Sequence, residues 1–207
     1  MDAKTALIVI DMQKGFLNEA SAQCIRGARA TVPACTAVIN HCRKQNIPVF
    51  FVTRRYRADG SDVEHTRFER WLEGGRAMSP GCPDEISADM PEEFGLCGRD
   101  YRIVKPRYSA FFHTELDLIL RRLGVDTIVL AGTTTPNCIR TTCYDGISLE
   151  YNVAVLSDCT SSNTEEIQQS NLRDMANVGT QIMTGEEFIS GALIRDTVSL
   201  ARENVER

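Results

Sequence analysis

The sequence lacks the features that mark membrane, disordered or nucleic-acid-binding proteins. Its longest unbroken apolar stretch near the start, Ala6–Ile10, stops at Asp11, which is too short for a membrane span or for the apolar core of a secretory signal. Basic residues are not in excess, since 23 lysines and arginines stand against 28 aspartates and glutamates, and attachment to phosphates needs a basic surface. We therefore expect neither a membrane nor a nucleic-acid partner.

Two common site motifs are also missing. No two of the eight cysteines are spaced Cys-x-x-Cys, which excludes the zinc-ribbon and thioredoxin patterns. No G-x-G-x-x-G follows the first apolar run, where the chain reads Asp11–Gly15, so a dinucleotide site is not expected. Without a signal segment we expect a reducing, cytoplasmic location, in which the cysteines are free thiols.

What is present is an alternation of apolar runs and helical patterns typical of an α/β protein. With 207 residues, 43% of them apolar and 25% charged, the chain fits one globular domain spanning residues 1–207. The runs read as strands buried on both faces, and they alternate with helices, which favours a parallel sheet. The prediction is a three-layer α/β/α sandwich on a Rossmann-like six-stranded parallel sheet. The predicted strands are Ala6–Ile10, Ile47–Thr53, Tyr101–Lys105, Asp126–Ala131, Asn152–Leu156 and Thr180–Met183.

Helices are predicted between these strands at about Ala30–Lys44, Asn137–Leu149 and Glu165–Asn177, and around Leu116–Leu123. Two helix starts resemble capping boxes, Thr114 with Asp117 and Thr184 with Glu187. The stretch from Arg54 to Gly98 differs, because it carries three prolines and six glycines. It predicts a loop-rich excursion with a short helix over Val63–Glu73, of the kind that forms lids or binding loops.

Three reactive side chains fall at predicted strand ends. Asp11 ends the first strand, Lys105 ends the third, and Cys138 opens the helix after the fourth. Ligands of open parallel sheets bind beyond the carboxyl ends of the strands, where these three would converge. A helix start and a nearby ammonium predict a lowered pKa for the Cys138 thiol, with Asp11 as its proton acceptor. These are the parts of a cysteine-dependent amide hydrolase, although a structural cysteine and solvated charges remain open.

Three segments, in order along the chain, resemble the isochorismatase-like family of cysteine hydrolases. They are ALIVIDMQKGFL, IVKPRYSAFFHTELDLILRRLGVDTIVLAGTTTPNCIRTTCYDG and VLSDCTSS. The resemblance implies an Asp–Lys–Cys triad at Asp11, Lys105 and Cys138. It also implies a cis peptide at Thr133–Thr134, and an oxyanion hole formed by the N–H groups of Thr134 and Cys138. It further implies a homodimer or homotetramer.

The sequence departs from one branch of that family. Nicotinamidases resemble one another in an Asp-x-His…His metal site after the second strand. Here the chain reads Thr53–Arg57, with His65 alone further on, so we expect no metal and no cofactor.

Residues that could contact a substrate are Phe16, Tyr108, Phe111, Trp71 and Arg55, with ordinary core packing or a solvated surface as the alternative for each. The sequence thus predicts hydrolysis of a C–N bond in a small amide, carbamoyl or ureido compound. Two alternatives stay open: a vinyl-ether hydrolase of the isochorismatase type, and a protein whose cysteine senses oxidation.

Overall fold

The structure is a computed structural model, and it describes residues 4–192 and 194–205. Six strands form one sheet in which every neighbouring pair is parallel, in the order β3-β2-β1-β4-β5-β6. The strands are β1 (Thr5–Ile10), β2 (Val49–Thr53), β3 (Tyr101–Val104), β4 (Thr127–Thr133), β5 (Asn152–Ser161) and β6 (Gln181–Met183). This confirms the predicted fold class and places the strand ends that carry Asp11 and Lys105 on the same edge.

Helices cover both faces of the sheet. They are α1 (Lys14–Leu17), α2 (Val32–Lys44), α3 (Phe68–Glu73), α4 (Leu116–Leu123), α5 (Arg140–Ser148), α6 (Glu165–Asn177), α7 (Gly185–Ile189) and α8 (Thr197–Val205). Alternate residues of β1 enter two different cores, because successive side chains of a strand point to opposite faces. Leu7 and Val9 pack with α2 and α7, whereas Ile8 and Ile10 pack with α4, α5 and α6. No helix among the described residues is long and apolar enough to cross a membrane.

The two predicted capping boxes have different outcomes. Thr184 and Glu187 form a complete box at the start of α7, as predicted. The prediction of a box at Thr114 and Asp117 is wrong, since the residue that caps α4 is Glu115 and its side chain makes no capping bond. Thr114 instead donates its hydroxyl to the carbonyl of Ala110, and Asp117 accepts a hydrogen bond from the Tyr151 hydroxyl.

Gly132 allows the two central strands, β1 and β4, to approach each other closely at the carboxyl edge of the sheet. Its φ is +112°, and a Cβ atom placed there would lie 2.0 Å from the carbonyl oxygen of Ile10. Only glycine fits such a position, since it has no side chain and tolerates positive φ. The contact brings the loop that follows β4 against the residue that follows β1, which is Asp11.

The excursion from Arg54 to Gly98 is folded onto a third apolar cluster. It contains α3 and short helical turns at His65–Arg67, Asp84–Ile86 and Glu92–Phe94, in place of one continuous helix over Val63–Glu73. The cluster joins Phe16 of α1 to buried residues of the excursion, namely Tyr56, Val63, Trp71, Ala77, Met78, Ile86 and Ala88. The excursion is therefore attached to the loop that leaves β1.

Candidate active site

Three side chains meet at the carboxyl edge of the sheet. The Nζ atom of Lys105 lies 2.7 Å from Oδ2 of Asp11 and 3.4 Å from Sγ of Cys138. Asp11 and Lys105 are completely buried, and Cys138 is 6% exposed. An ion pair and a thiol are thus held in contact, and Cys138 is the one of the three residues that lines a cavity.

Backbone bonds set the positions of these residues. The Asp11 N–H donates to the Val52 carbonyl at 2.9 Å, and the Lys105 N–H donates to the Thr53 carbonyl at 2.9 Å. Asp11 has a positive φ of +53°, a conformation that aspartate tolerates better than most residues. Cys138 lies in a π turn, Thr135–Ile139, in which the Ile139 N–H donates to the Thr134 carbonyl before α5 begins.

The prediction of a lowered thiol pKa at Cys138 is wrong. Burial raises the pKa, and the negative charge of Asp11 raises it further, while Lys105 and Arg54 oppose both without prevailing. Burial removes the water that would stabilise a sulfur anion, and the adjacent carboxylate repels that anion. Cys138 therefore rests as a neutral thiol beside a charged Asp11–Lys105 pair.

A cavity of about 220 Å³ adjoins Cys138. Cys138 and Thr134 form part of its wall, and of the predicted substrate contacts Phe16 and Trp71 also line it. The other three lie elsewhere. Tyr108 lies beneath the guanidinium of Arg67, Phe111 stacks on Tyr151, and Arg55 is 57% exposed with Asp89 at 3.8 Å.

Comparison with known proteins identifies the chain's family. The sequence model of the Isochorismatase domain matches residues 5–187. The chain belongs to the isochorismatase family. It is 38% identical over 186 residues to an Arabidopsis thaliana protein named probable inactive nicotinamidase, covering 89% of this chain and 94% of that protein. It is 30% identical over 184 residues to the ureidoacrylate amidohydrolase of Pantoea ananatis, covering 80% and 72% respectively.

A solved member of the isochorismatase family superposes closely. The crystal structure of a family protein from Desulfovibrio vulgaris matches with a TM-score of 0.85 at 37% identity. The match covers 90% of this chain and 97% of that one. The six-stranded sheet and its flanking helices are therefore those of the family.

Among isochorismatase-family features, the cis peptide expected at Thr133–Thr134 is present in the structure. The described residues contain no group of three histidine, cysteine or acidic side chains that could hold a metal ion. After β2 the chain instead turns Arg54 inward, to a position where it is 1% exposed. The side chains at this place therefore do not fit a bound metal.

Arg54 adds a second buried cation to the site. Its guanidinium donates to the carboxylate of Glu64 in a close ion pair, and lies 3.3 Å from the Tyr56 hydroxyl. Its charge acts on both Asp11 and Cys138. Arg54 consequently offsets part of the cost of forming a sulfur anion, and Glu64 holds it in position.

We expect Glu64→Gln to destabilise the fold by about 3 kcal/mol at pH 7, because it leaves the Arg54 charge buried without a counterion. Burial alone would raise the pKa of Glu64, but Arg54 and hydrogen bonds hold it below its usual range. The stabilisation is therefore present above the ordinary glutamate pKa of about 4.3 and is lost as pH falls through the lower folded pKa.

Urea unfolding of wild type and Glu64→Gln at pH 7, 4 and 3 measures this difference. The gap between the two proteins should narrow at the acid end. Glu69→Gln, an exposed carboxylate on α3, is the control and should leave the unfolding free energy nearly unchanged. A gap that does not depend on pH would show that Glu64 acts by packing and not by charge.

Sequence reasoning predicted Trp71 in the cavity wall but missed two arginines beside it. Arg67, Arg70 and Trp71 all line the cavity, and they follow the i, i+3, i+4 spacing of a single helix face. That spacing is visible in the sequence, and it could have placed the two arginines beside Trp71. The polar residues Gln23, Asn137, Ser162 and Asn163, which also line the cavity, carry no comparable sequence signal.

Proposed function

We propose that this isochorismatase-family protein hydrolyses the C–N bond of a small amide, carbamoyl or ureido substrate through a thioester on Cys138. One observation carries the proposal. Asp11, Lys105 and Cys138 are in contact, and Cys138 lines a cavity of about 220 Å³. A carboxylate, an ammonium and a thiol in this arrangement supply a base, a charge stabiliser and a nucleophile.

The first half-reaction forms the thioester. Asp11 accepts the thiol proton as Sγ of Cys138 attacks the carbonyl carbon, and Lys105 stabilises the developing sulfur anion. The tetrahedral oxyanion accepts hydrogen bonds from the N–H groups of Thr134 and Cys138. Its collapse breaks the C–N bond, and Asp11 returns its proton to the leaving nitrogen, so ammonia or an amine departs.

The second half-reaction releases the product. Asp11, ionised again, accepts a proton from water, and the resulting hydroxide attacks the thioester carbon. The same N–H groups hold the second oxyanion. Collapse expels the sulfur, which recovers the proton from Asp11, and an acid leaves. The neutral resting thiol fits this cycle, because the anion forms only when a carbonyl is there to receive it.

The relatives bear on the proposal in two ways. The Pantoea ananatis relative is named for amide hydrolysis of a ureido compound, which is the proposed chemistry. The Arabidopsis thaliana relative is named a probable inactive nicotinamidase, so likeness to it brings no activity to this chain. The proposal depends on the three residues in contact.

The raised thiol pKa counts against an oxidation sensor, since sensing cysteines are exposed thiolates.

Ammonia release from a panel of amides, ureas and carbamoyl compounds tests the function, with intact mass recording any acyl adduct on Cys138. We expect at least one compound to release ammonia and to leave a trappable adduct that peptide mapping places on Cys138. Turnover only of a vinyl ether without an amide would contradict C–N hydrolysis. Mass changes only after peroxide treatment would favour oxidation sensing. The homodimer or homotetramer stays a prediction.

A further inference from the structure

The charged residues that line the cavity all carry the same sign. Among the residues that the structure describes, the lining includes two arginines, Arg67 and Arg70, and no aspartate or glutamate. A concave wall of low dielectric concentrates such a charge and attracts ligands of the opposite sign. Building on the proposed function, we propose that the substrate is an anion, a small amide, carbamoyl or ureido compound that also bears a carboxylate, and that Arg67 binds this carboxylate.

Of the two arginines that line the cavity, Arg67 is the one whose N–H donors are available to a ligand. It is half-buried, its guanidinium lies 5.1 Å from the ring centroid of Tyr108, and it makes no ion pair or side-chain hydrogen bond with any residue in the described ranges. Two other arginines of the excursion already have acidic partners: Arg54 pairs with Glu64, and Arg57 lies 3.7 Å from Asp59. The Tyr108 ring holds Arg67 in place without using its five N–H donors.

Arg70 is less suited to the role. It is exposed, and its Nη2 already donates to the carbonyl of Ala22. Arg67 therefore carries the specific contact, and Arg70 adds to the field. A planar guanidinium with free donors matches a carboxylate in bidentate geometry, which is stronger and more selective than a single point charge.

Unpartnered polar atoms in the same cavity complete the match. The hydroxyl of Ser162 and the Oε1 atom of Gln23 are buried and have no hydrogen-bond partner among the described residues. Both residues line the cavity, and Ser162 is 5% exposed. A buried acceptor without a partner is costly, and the N–H groups of a carbamoyl or ureido substrate would satisfy it. The aromatic rings of Phe16 and Trp71, which line the cavity, suit contact with a planar group.

Direct binding separates this inference from catalysis. Cys138→Ala removes the nucleophile, so ligands remain intact, and calorimetry can compare acids with their uncharged primary amides. The probes are N-carbamoylglycine and N-carbamoyl-β-alanine, each paired with its amide. We expect at least one acid to bind about tenfold or more tightly than its amide. Adding Arg67→Gln should remove this preference, Arg67→Lys should keep part of it, and Arg57→Gln, the same charge change outside the cavity, should not affect it.

Each outcome decides one question. If the acids bind no better than the amides, or if the preference survives Arg67→Gln, the inference is overturned and C–N hydrolysis is untouched. If the acids bind through Arg67 while the wild type releases no ammonia from any member of the panel, the anion site stands and the proposed function fails.

Discussion

Replacing Cys138 with alanine is expected to reduce kcat by at least about 10³-fold on any substrate that the wild type hydrolyses. Without a nucleophilic sulfur, water would have to attack an unactivated amide directly, and the route through a thioester is closed. Cys138→Ser should lose nearly as much, because an alcohol gives up its proton far less readily than a thiol in the same buried position. Steady-state ammonia release measures both variants.

The matched control is Cys143→Ala. Cys143 is completely buried on α5, five residues from Cys138, and its sulfur lies 3.0 Å from the hydroxyl of Thr180. Cys143 is not among the described residues that line the cavity, so this variant should keep its kcat and lose only a little stability. Near-normal turnover by Cys138→Ala would rule out covalent catalysis, whatever the behaviour of Cys143→Ala.

Asp11→Asn is expected to move two measurements in opposite directions. Turnover should fall by about 10²- to 10⁴-fold, because no group remains to accept the thiol proton or to return it to the leaving nitrogen. The rate at which iodoacetamide alkylates Cys138 at neutral pH should rise. The charge of Asp11 helps to raise the pKa of the thiol, and its removal leaves Lys105 and Arg54 to stabilise the sulfur anion.

The size of this rise reports the electrostatic coupling. Well below the thiol pKa, each unit by which that pKa falls raises the thiolate fraction about tenfold, and the thiolate is the species that reacts. Peptide mapping assigns the modification to Cys138 and separates it from other thiols. Asp89→Asn, an exposed carboxylate outside the triad, is the control. Slower alkylation in Asp11→Asn would mean that Asp11 activates the free thiol, and the neutral resting state would be wrong.

The sheet was predictable because its strands are dense in β-branched and apolar residues. Glu165–Asn177 agrees with the predicted helix at both ends, and all six strands start within two residues of prediction. The exception in length is β5, which continues from Leu156 to Ser161. Its last residues are polar, so hydrophobic pattern could not show that they pair with β4 beside the cavity.

That Asp11, Lys105 and Cys138 lie together was predictable from strand ends, but the electrostatics of these side chains were not. Which residues follow a strand can be read from the sequence, whereas the pKa of Cys138 depends on how completely the fold excludes water from it. The arginines after β2 also show that burial cannot be read from the sequence. Adjacent residues of an extended chain point to opposite sides, so Arg54 enters the protein while Arg55 faces solvent. The sequence could show that their directions differ, but not which one faces inward.

The residues proposed for reactivity and those proposed for substrate recognition lie in separate parts of this chain. The proposed reactive groups stand at strand ends anchored in the sheet, whereas Arg67 and Trp71 are contributed by the excursion, which belongs to no strand. Substitutions in α3 and the turn before it can therefore alter which molecule is accepted without displacing the sulfur, the carboxylate or the ammonium. A protein built in this way can acquire new substrates in evolution, or by grafting that wall from a relative, while its chemistry is inherited intact.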